Sequence, residues 1–229
     1  MKRMKLDRMS RRAALRGALA VSWMGSWSGR EDVAAQEVET MNVNPRLFSF
    51  VGGLQGPWRA TESRVIRGEA LPQVERLDIV PGNVASVPQG AEWVLRGARS
   101  NERYVTRPEK EELTAKSPVL GRPEADCAVL IPIRKSAKWW DLTQDERRAI
   151  FEEQSHHTRI GLEYLPAIAR RLHHCRDLTD VEPFDFLTWF EFAPADTAAF
   201  DKLLARLRAS AEWEYVEREV EIRLTRSGE

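Results

Sequence analysis

"CAVLIPIR", Cys127–Arg134, and "FDFLTWFEF", Phe184–Phe192, decide the fold class of this chain. Each is a continuous apolar run of strand length, and the second is apolar on both faces, as a strand covered on both sides must be. Between them lies "KWWDLTQDERRAIFEEQSHHTRIGLEYLPAIARRL", Lys138–Leu172. Thr143 and Glu146 in it form a capping box, so a helix is predicted from Thr143 to about His157. Leu162, Leu165, Ile168, Ala169 and Leu172 then recur near a period of 3.6, which predicts a second helix to Leu172, kinked or restarted at Pro166. After the second strand, "ADTAAFDKLLARLRAS" puts Phe200, Leu203, Leu204 and Leu207 on one helical stripe. "YVEREVEIRL" alternates Val216, Val220, Ile222 and Leu224 with charges, as a half-buried strand does. The order strand, helices, strand, helix, strand predicts an α+β fold of ferredoxin-like type, an antiparallel sheet with helices on one side.

Upstream the signals weaken. Residues 36–126 are rich in Gly and Pro, with short strand-like runs in "RLFSFVG" from Arg46, "EWVLRGARS" from Glu92 and "ERYVTR" from Glu102. The polar stretch Glu62–Gly90 between the first two is expected to be loop and helix. The boundary falls at 126/127, with an abbreviated N-terminal half (36–126) and a C-terminal half (127–229).

Residues 1–35 read differently again. A basic start, a mildly apolar run from Ala13 to Trp27 and small residues at Val33-Ala34-Ala35 have the form of a cleavable export signal. Ser10-Arg11-Arg12-Ala13-Ala14-Leu15 resembles the twin-arginine motif, and the apolar run is too short to span a bilayer. A periplasmic product is expected, with no membrane association in its mature form. Thirty-five Lys and Arg balance 35 Asp and Glu. That removes the electrostatic argument for nucleic acid or an anionic membrane as partner and favours a compact small ligand. Cys127 and Cys175 are the two cysteines. An oxidising compartment permits a bridge between them, but sequence does not decide whether they meet.

All 4 histidines lie in one stretch, as His156–His157 and His173–His174. Adjacent helical residues point about 100° apart, so neither pair chelates one zinc ion easily, and neither His-x-x-x-His nor Cys-x-x-Cys occurs. Surface or helix-end roles account for His156, His173 and His174. His157 and Arg170, about 20 Å apart on a continuous helix, could converge on a flat cofactor from two sides. This permits a haem without requiring one.

"IPIRKSAKWWDLTQDERRAIFEEQSHHTRIGLEYLPAIARRLHHCRDL", with "EPFDFLTWFEF" and "EWEYVEREVEIRL", resembles the chlorite dismutase family, and its short-chain dimeric branch in particular. The resemblance implies two ferredoxin-like halves forming a dimeric α/β-barrel, a haem b cofactor, and conversion of chlorite to chloride and dioxygen by a homodimer. It also implies roles for single residues. His157 matches the axial ligand of the haem iron, and Arg170 the distal arginine of chlorite-converting members, a position that is not arginine in coproheme decarboxylases. Lys135, Trp139 and Trp140 match the segment at the haem edge near the propionates, and Tyr104 a propionate contact. Glu212 matches the acid behind the axial imidazole, with Glu214 and Glu217 as neighbouring candidates. Two other functions on the same scaffold remain open at this point: a periplasmic haem peroxidase, and a non-catalytic haem carrier or sensor.

Overall fold

The apolar run at Cys127 is strand β5 (Cys127–Lys135), and its alternate side chains serve two different cores. The computed structural model describes residues 45–84, 86–100, 103–179 and 181–227; the export signal read at 1–35 lies outside them. β1 (Leu47–Gly53), β2 (Trp58–Arg67), β3 (Arg76–Pro81) and β4 (Ala91–Arg99) precede β5, and β6 (Ala169–His174), β7 (Phe186–Phe192) and β8 (Val216–Arg226) follow it. Every neighbouring pair is antiparallel, and the ladder closes into a barrel in the order β1-β3-β2-β8-β5-β7-β6-β4. The first four strands lie as β4-β1-β3-β2 and the last four as β8-β5-β7-β6, the same order twice.

Inside the barrel, Ala128 and Leu130 meet Phe50, Trp58, Leu77, Trp93, Leu187, Trp189 and Ile222. Outside it, Val129, Ile131 and Ile133 pack with Phe190 and Phe192 against α5 (Thr197–Arg208), which buries Phe200, Leu203, Leu204 and Leu207. β5 and β7 are therefore covered on both faces, which is why both read as unbroken apolar runs. Cys127 and Cys175 are free thiols.

Four local expectations are corrected. First, Glu62–Gly90 is not loop and helix but contains most of β2 and all of β3. β2 is exposed beyond Trp58 for most of its length and shows no alternation; its ladder to β8, from Trp58↔Arg226 to Arg67↔Glu219, makes it a strand. Second, "ERYVTR" is no strand. Thr106 caps α1 (Arg107–Lys116), its amide donating to Glu109 Oε2 at 2.6 Å, with Pro108 in the first turn.

Third, the helix capped at Thr143 is not continuous to His157. After the short α2 (Ala137–Asp141), α3 (Gln144–Arg148) widens into a π-helical turn (Ala149–Gln154) and stops where His156 adopts a left-handed φ of 53°. Fourth, α4 (His157–Leu162) ends early, and Ala169–Leu172 belongs to β6 rather than to a helix. Pro166 lacks the amide that a continuing helix needs, and pairing with β7, from Ala169↔Glu191 to His174↔Phe186, outweighs the 3.6 periodicity. The 20 Å helical separation of His157 and Arg170 therefore does not apply.

Trp189 is 1% exposed, meets Trp58 edge-on at a centroid distance of 5.2 Å, and donates its indole N–H to Glu191 Oε1 at 2.9 Å. Trp189→Ala leaves both a cavity and an unpaired buried acceptor, and is expected to cost about 3–5 kcal/mol of unfolding free energy. Urea unfolding would check this; a loss under about 1 kcal/mol would show that the barrel interior collapses around the gap.

Candidate active site

Outside the barrel, between the sheet and the helices, lies a cavity with about 1240 Å³ of non-atom space, part of it open to solvent. The sheet reaches it with every second residue: Ile131 and Ile133 from β5, Arg170, Leu172 and His174 from β6, and Phe186, Thr188 and Phe190 from β7. The helical side contributes His157, Thr158 and Gly161 from α4 and Leu203, Leu204 and Leu207 from α5. Arg103, Tyr104, Val105, Trp139 and Phe151 complete much of the wall. A large apolar cavity with a few convergent polar groups is the usual form of a cofactor or substrate site.

The polar groups centre on His157. The left-handed turn at His156 lets a new helix begin at His157, and Glu152 Oε2 accepts the Thr158 amide at 2.7 Å to satisfy its first turn. Near-parallel rings of Phe151 at 4.2 Å and Trp213 at 6.4 Å orient the imidazole. Its Nδ1 lies 2.6 Å from Glu212 Oε2, and its Nε2 makes no hydrogen bond among the described residues.

Glu212 sits in a 3₁₀ turn (Ala211–Tyr215), its amide donating to Ser155 Oγ at 2.8 Å. Its second carboxylate oxygen accepts Lys135 Nζ at 2.8 Å, and both side chains are at most 6% exposed. Burial pushes the Glu212 carboxyl up, but the Lys135 ammonium and His157 outweigh burial and hold it at about 2. An anionic Glu212 accepts the His157 Nδ1–H, which leaves Nε2 as the nitrogen with a free lone pair.

The other expected residues divide. Trp139 lines the cavity, 1% exposed, and its Nε1 has no hydrogen-bond partner. Trp140 is not among the lining residues: neighbours on a helix point about 100° apart, so only one of the pair faces inward. It donates to Asp185 Oδ2 at 3.2 Å and stacks on Phe186, which does line the cavity. Lys135 lines the cavity too, but its ammonium is engaged by Glu212 and lies 4.6 Å from the Trp139 ring centroid.

Tyr104 packs edge-on against Trp139 at 6.2 Å. It holds a left-handed φ of 65°, strained for a bulky residue, with its carbonyl bound by Arg148. Arg148 is in turn paired with Glu109, the residue in the first turn of α1 that accepts the amide of its cap, Thr106. Arg170 reaches the cavity from β6, the sheet side, whereas His157 belongs to the helical side.

Sequence reasoning missed His174. The 3.6 pattern hid a strand in which Arg170, Leu172 and His174 share one face, and period-two reading of "ARRLHH" was the available signal. His173 turns the other way, buried between Phe48 and Phe50.

A family model described as chlorite dismutase matches residues 83–227. The chain belongs to the chlorite dismutase family. Among solved structures, the dimeric chlorite dismutase of Nitrobacter winogradskyi is similar at 53% identity and a TM-score of 0.73, covering 79% of this chain and 99% of that one. A variant of the chlorite dismutase of Candidatus Nitrospira defluvii, in complex with cyanide, shares the fold at 20% identity and a TM-score of 0.60, over 81% of this chain and 92% of that one. A curated chlorite dismutase from Ideonella dechloratans is 36% identical over 88 residues, 38% of this chain and 28% of that protein. This chlorite dismutase family chain thus spans under a third of that curated relative in the match, and almost the whole of the Nitrobacter structure.

The paired carboxylate has a thermodynamic signature. Glu212 has a folded pKa below its unfolded value of 4.5, so its contribution to stability is present above pH 4.5 and is lost as pH falls through about 2. In Glu212→Gln this part of the acid dependence should vanish. Urea titrations at pH steps from 6 to 2 would show a shallower fall in the variant; parallel curves would mean that Glu212 is not held anionic.

Proposed function

We propose that this member of the chlorite dismutase family binds haem b in the cavity and converts chlorite to chloride and dioxygen. The observation that carries the reading is the buried Lys135–Glu212–His157 chain, which ends in an imidazole nitrogen without a protein partner on the wall of an apolar cavity. The residues present suit the group. The walls are largely aliphatic and aromatic, and two cavity-lining nitrogens, Trp139 Nε1 and His174 Nε2, are buried without protein partners, as groups that bond a cofactor would be.

His157 would hold the iron through Nε2, with Glu212 fixing its tautomer and raising its basicity. When bound, haem supplies the iron-centred redox chemistry by which ClO₂⁻ becomes Cl⁻ and O₂. Arg170 stays charged at any working pH, so it would draw the chlorite anion into the cavity and orient it there by charge-assisted hydrogen bonds. Trp139 and Tyr104 would flank the cofactor's edge, and Trp140 would act from behind by supporting Phe186.

We further infer a homodimer of barrels built from two ferredoxin-like halves, 36–126 and 127–229. The repeated strand order supports the halves, and the relative described as dimeric supports the assembly. The twin-arginine motif at Ser10–Leu15 supports delivery to the periplasm.

His157→Ala should lose haem, read as absence of a Soret band after reconstitution. Arg170→Ala should keep haem, yet release oxygen from chlorite at least about tenfold more slowly and bleach faster during turnover. An oxygen electrode with parallel Soret decay checks both; unchanged rate and lifetime in Arg170→Ala would take that residue out of the reaction.

A further inference from the structure

Along β6, side chains alternate between the barrel interior and the cavity, so Arg170, Leu172 and His174 form a row on the cavity side. Residues four apart on a strand are separated by about 13 Å, so His174 stands well away from the reach assigned to Arg170, further along the same wall. It is 6% exposed, its Nε2 is buried, and neither ring nitrogen hydrogen-bonds to the protein among the described residues. Phe186 meets its ring edge-on at 4.8 Å and fixes its plane. Burial holds this imidazole neutral, with a pKa lowered to about 4. A buried polar nitrogen without a partner is costly, and such groups normally have a water or a ligand to bond.

The surroundings say which kind of ligand. Arg103 lines the cavity, acts electrostatically on His174 and pairs with Asp177, three residues beyond His174, at 2.6 Å. Next to Arg103 in the chain, Tyr104 rests on Trp139, the other cavity residue with an unpartnered buried nitrogen. Arg103 and Tyr104 thus bring a guanidinium, and through Trp139 a second unpartnered nitrogen, to the cavity that His174 lines, while the lining from Ile131, Leu203, Leu204 and Leu207 is aliphatic. A guanidinium, an indole N–H and an imidazole able to donate, in a wall with no carboxylate beyond Glu212, which Lys135 and His157 already occupy, suit an anionic oxygen acceptor.

We propose that His174 is a cofactor-anchoring residue whose imidazole donates a hydrogen bond to a carboxylate of the bound haem. The assignment rests on the haem reading above, and makes His174 a binding residue that does not touch the reacting atoms.

The test separates a carboxylate contact from packing. The full chain is reconstituted with haem b or with haem dimethyl ester, which has the same ring but no free carboxylate. Loss of each is followed by transfer to excess apomyoglobin. The variants are His174→Phe, which keeps the ring volume against Phe186, and His174→Gln, which keeps an N–H; matched far-UV spectra and unfolding midpoints establish that both fold. The expected result is haem loss about tenfold faster in His174→Phe, recovery toward the wild-type rate in His174→Gln, and no difference between wild type and His174→Phe with the ester. Equal haem loss in wild type and His174→Phe would overturn the proposal. Equal acceleration for haem and ester would also overturn it, by reducing His174 to packing. A wild-type chain that retains neither haem nor ester would remove the haem reading itself, and this assignment with it, a result distinct from the other two.

Discussion

A carboxylate without solvent is the constraint around which this site is organised. Glu212 is almost completely buried, and an isolated charge there would neutralise itself by taking a proton. It remains anionic because Lys135 and His157 each meet one of its oxygens, at 2.8 and 2.6 Å. None of the three is tenable alone: the ammonium would also be buried without a partner, and the imidazole would lose the acceptor that decides its tautomer. Such a chain adds little net stability compared with an apolar core, and its value is that it specifies one arrangement of charge at one place.

Much of the neighbouring architecture holds that arrangement still. Lys135 ends β5, where it pairs with Val216 of β8 after a shift in register, and its own amide donates to Asp185 Oδ2. Glu212 is pinned by Ser155, and Trp213 beside it donates its indole N–H to Glu219, which Arg208 ties to α5. His157 depends on a break in the helix: the π-helical turn and the left-handed His156 reset the direction of the chain one residue before the imidazole. Tyr104 and His156 are the non-glycine residues with positive φ among those described; Tyr104 lines the cavity, and His156 immediately precedes His157, which does. Backbone strain of this kind persists where surrounding contacts over-determine it, here through Arg148 on the Tyr104 carbonyl.

The barrel explains why the cavity has a sharp division of chemistry. Each strand of β5, β6 and β7 sends one set of side chains to the interior and the other to the cavity, so the same six residues of β6 supply His173 to the barrel core and His174 to the site. Closure removes sheet edges and makes this wall rigid. The helical wall, bearing His157, and the sheet wall, bearing Arg170, are thus carried by different elements, so a ligand between them is held by two independently anchored surfaces.

The sequence by itself determined the strands buried on both faces, the amphipathic α5, the capped start at Thr143 and, through family resemblance, the residues worth watching. These are local patterns of period two or 3.6, or short motifs, and they survive without knowledge of neighbours. Only the tertiary structure decided that β2 is a strand, because its order comes from β8 and not from its own polar residues. Only pairing with β7 turned Ala169–His174 from a plausible helix into a strand, and with that change Arg170 and His174 came onto one face. Which of Trp139 and Trp140 faces the cavity, and that Lys135 serves Glu212, likewise depended on contacts between residues up to 77 positions apart. Such long-range contacts leave no periodic trace in a chain, because the partner that gives each residue its role is brought to it by the closure of the barrel.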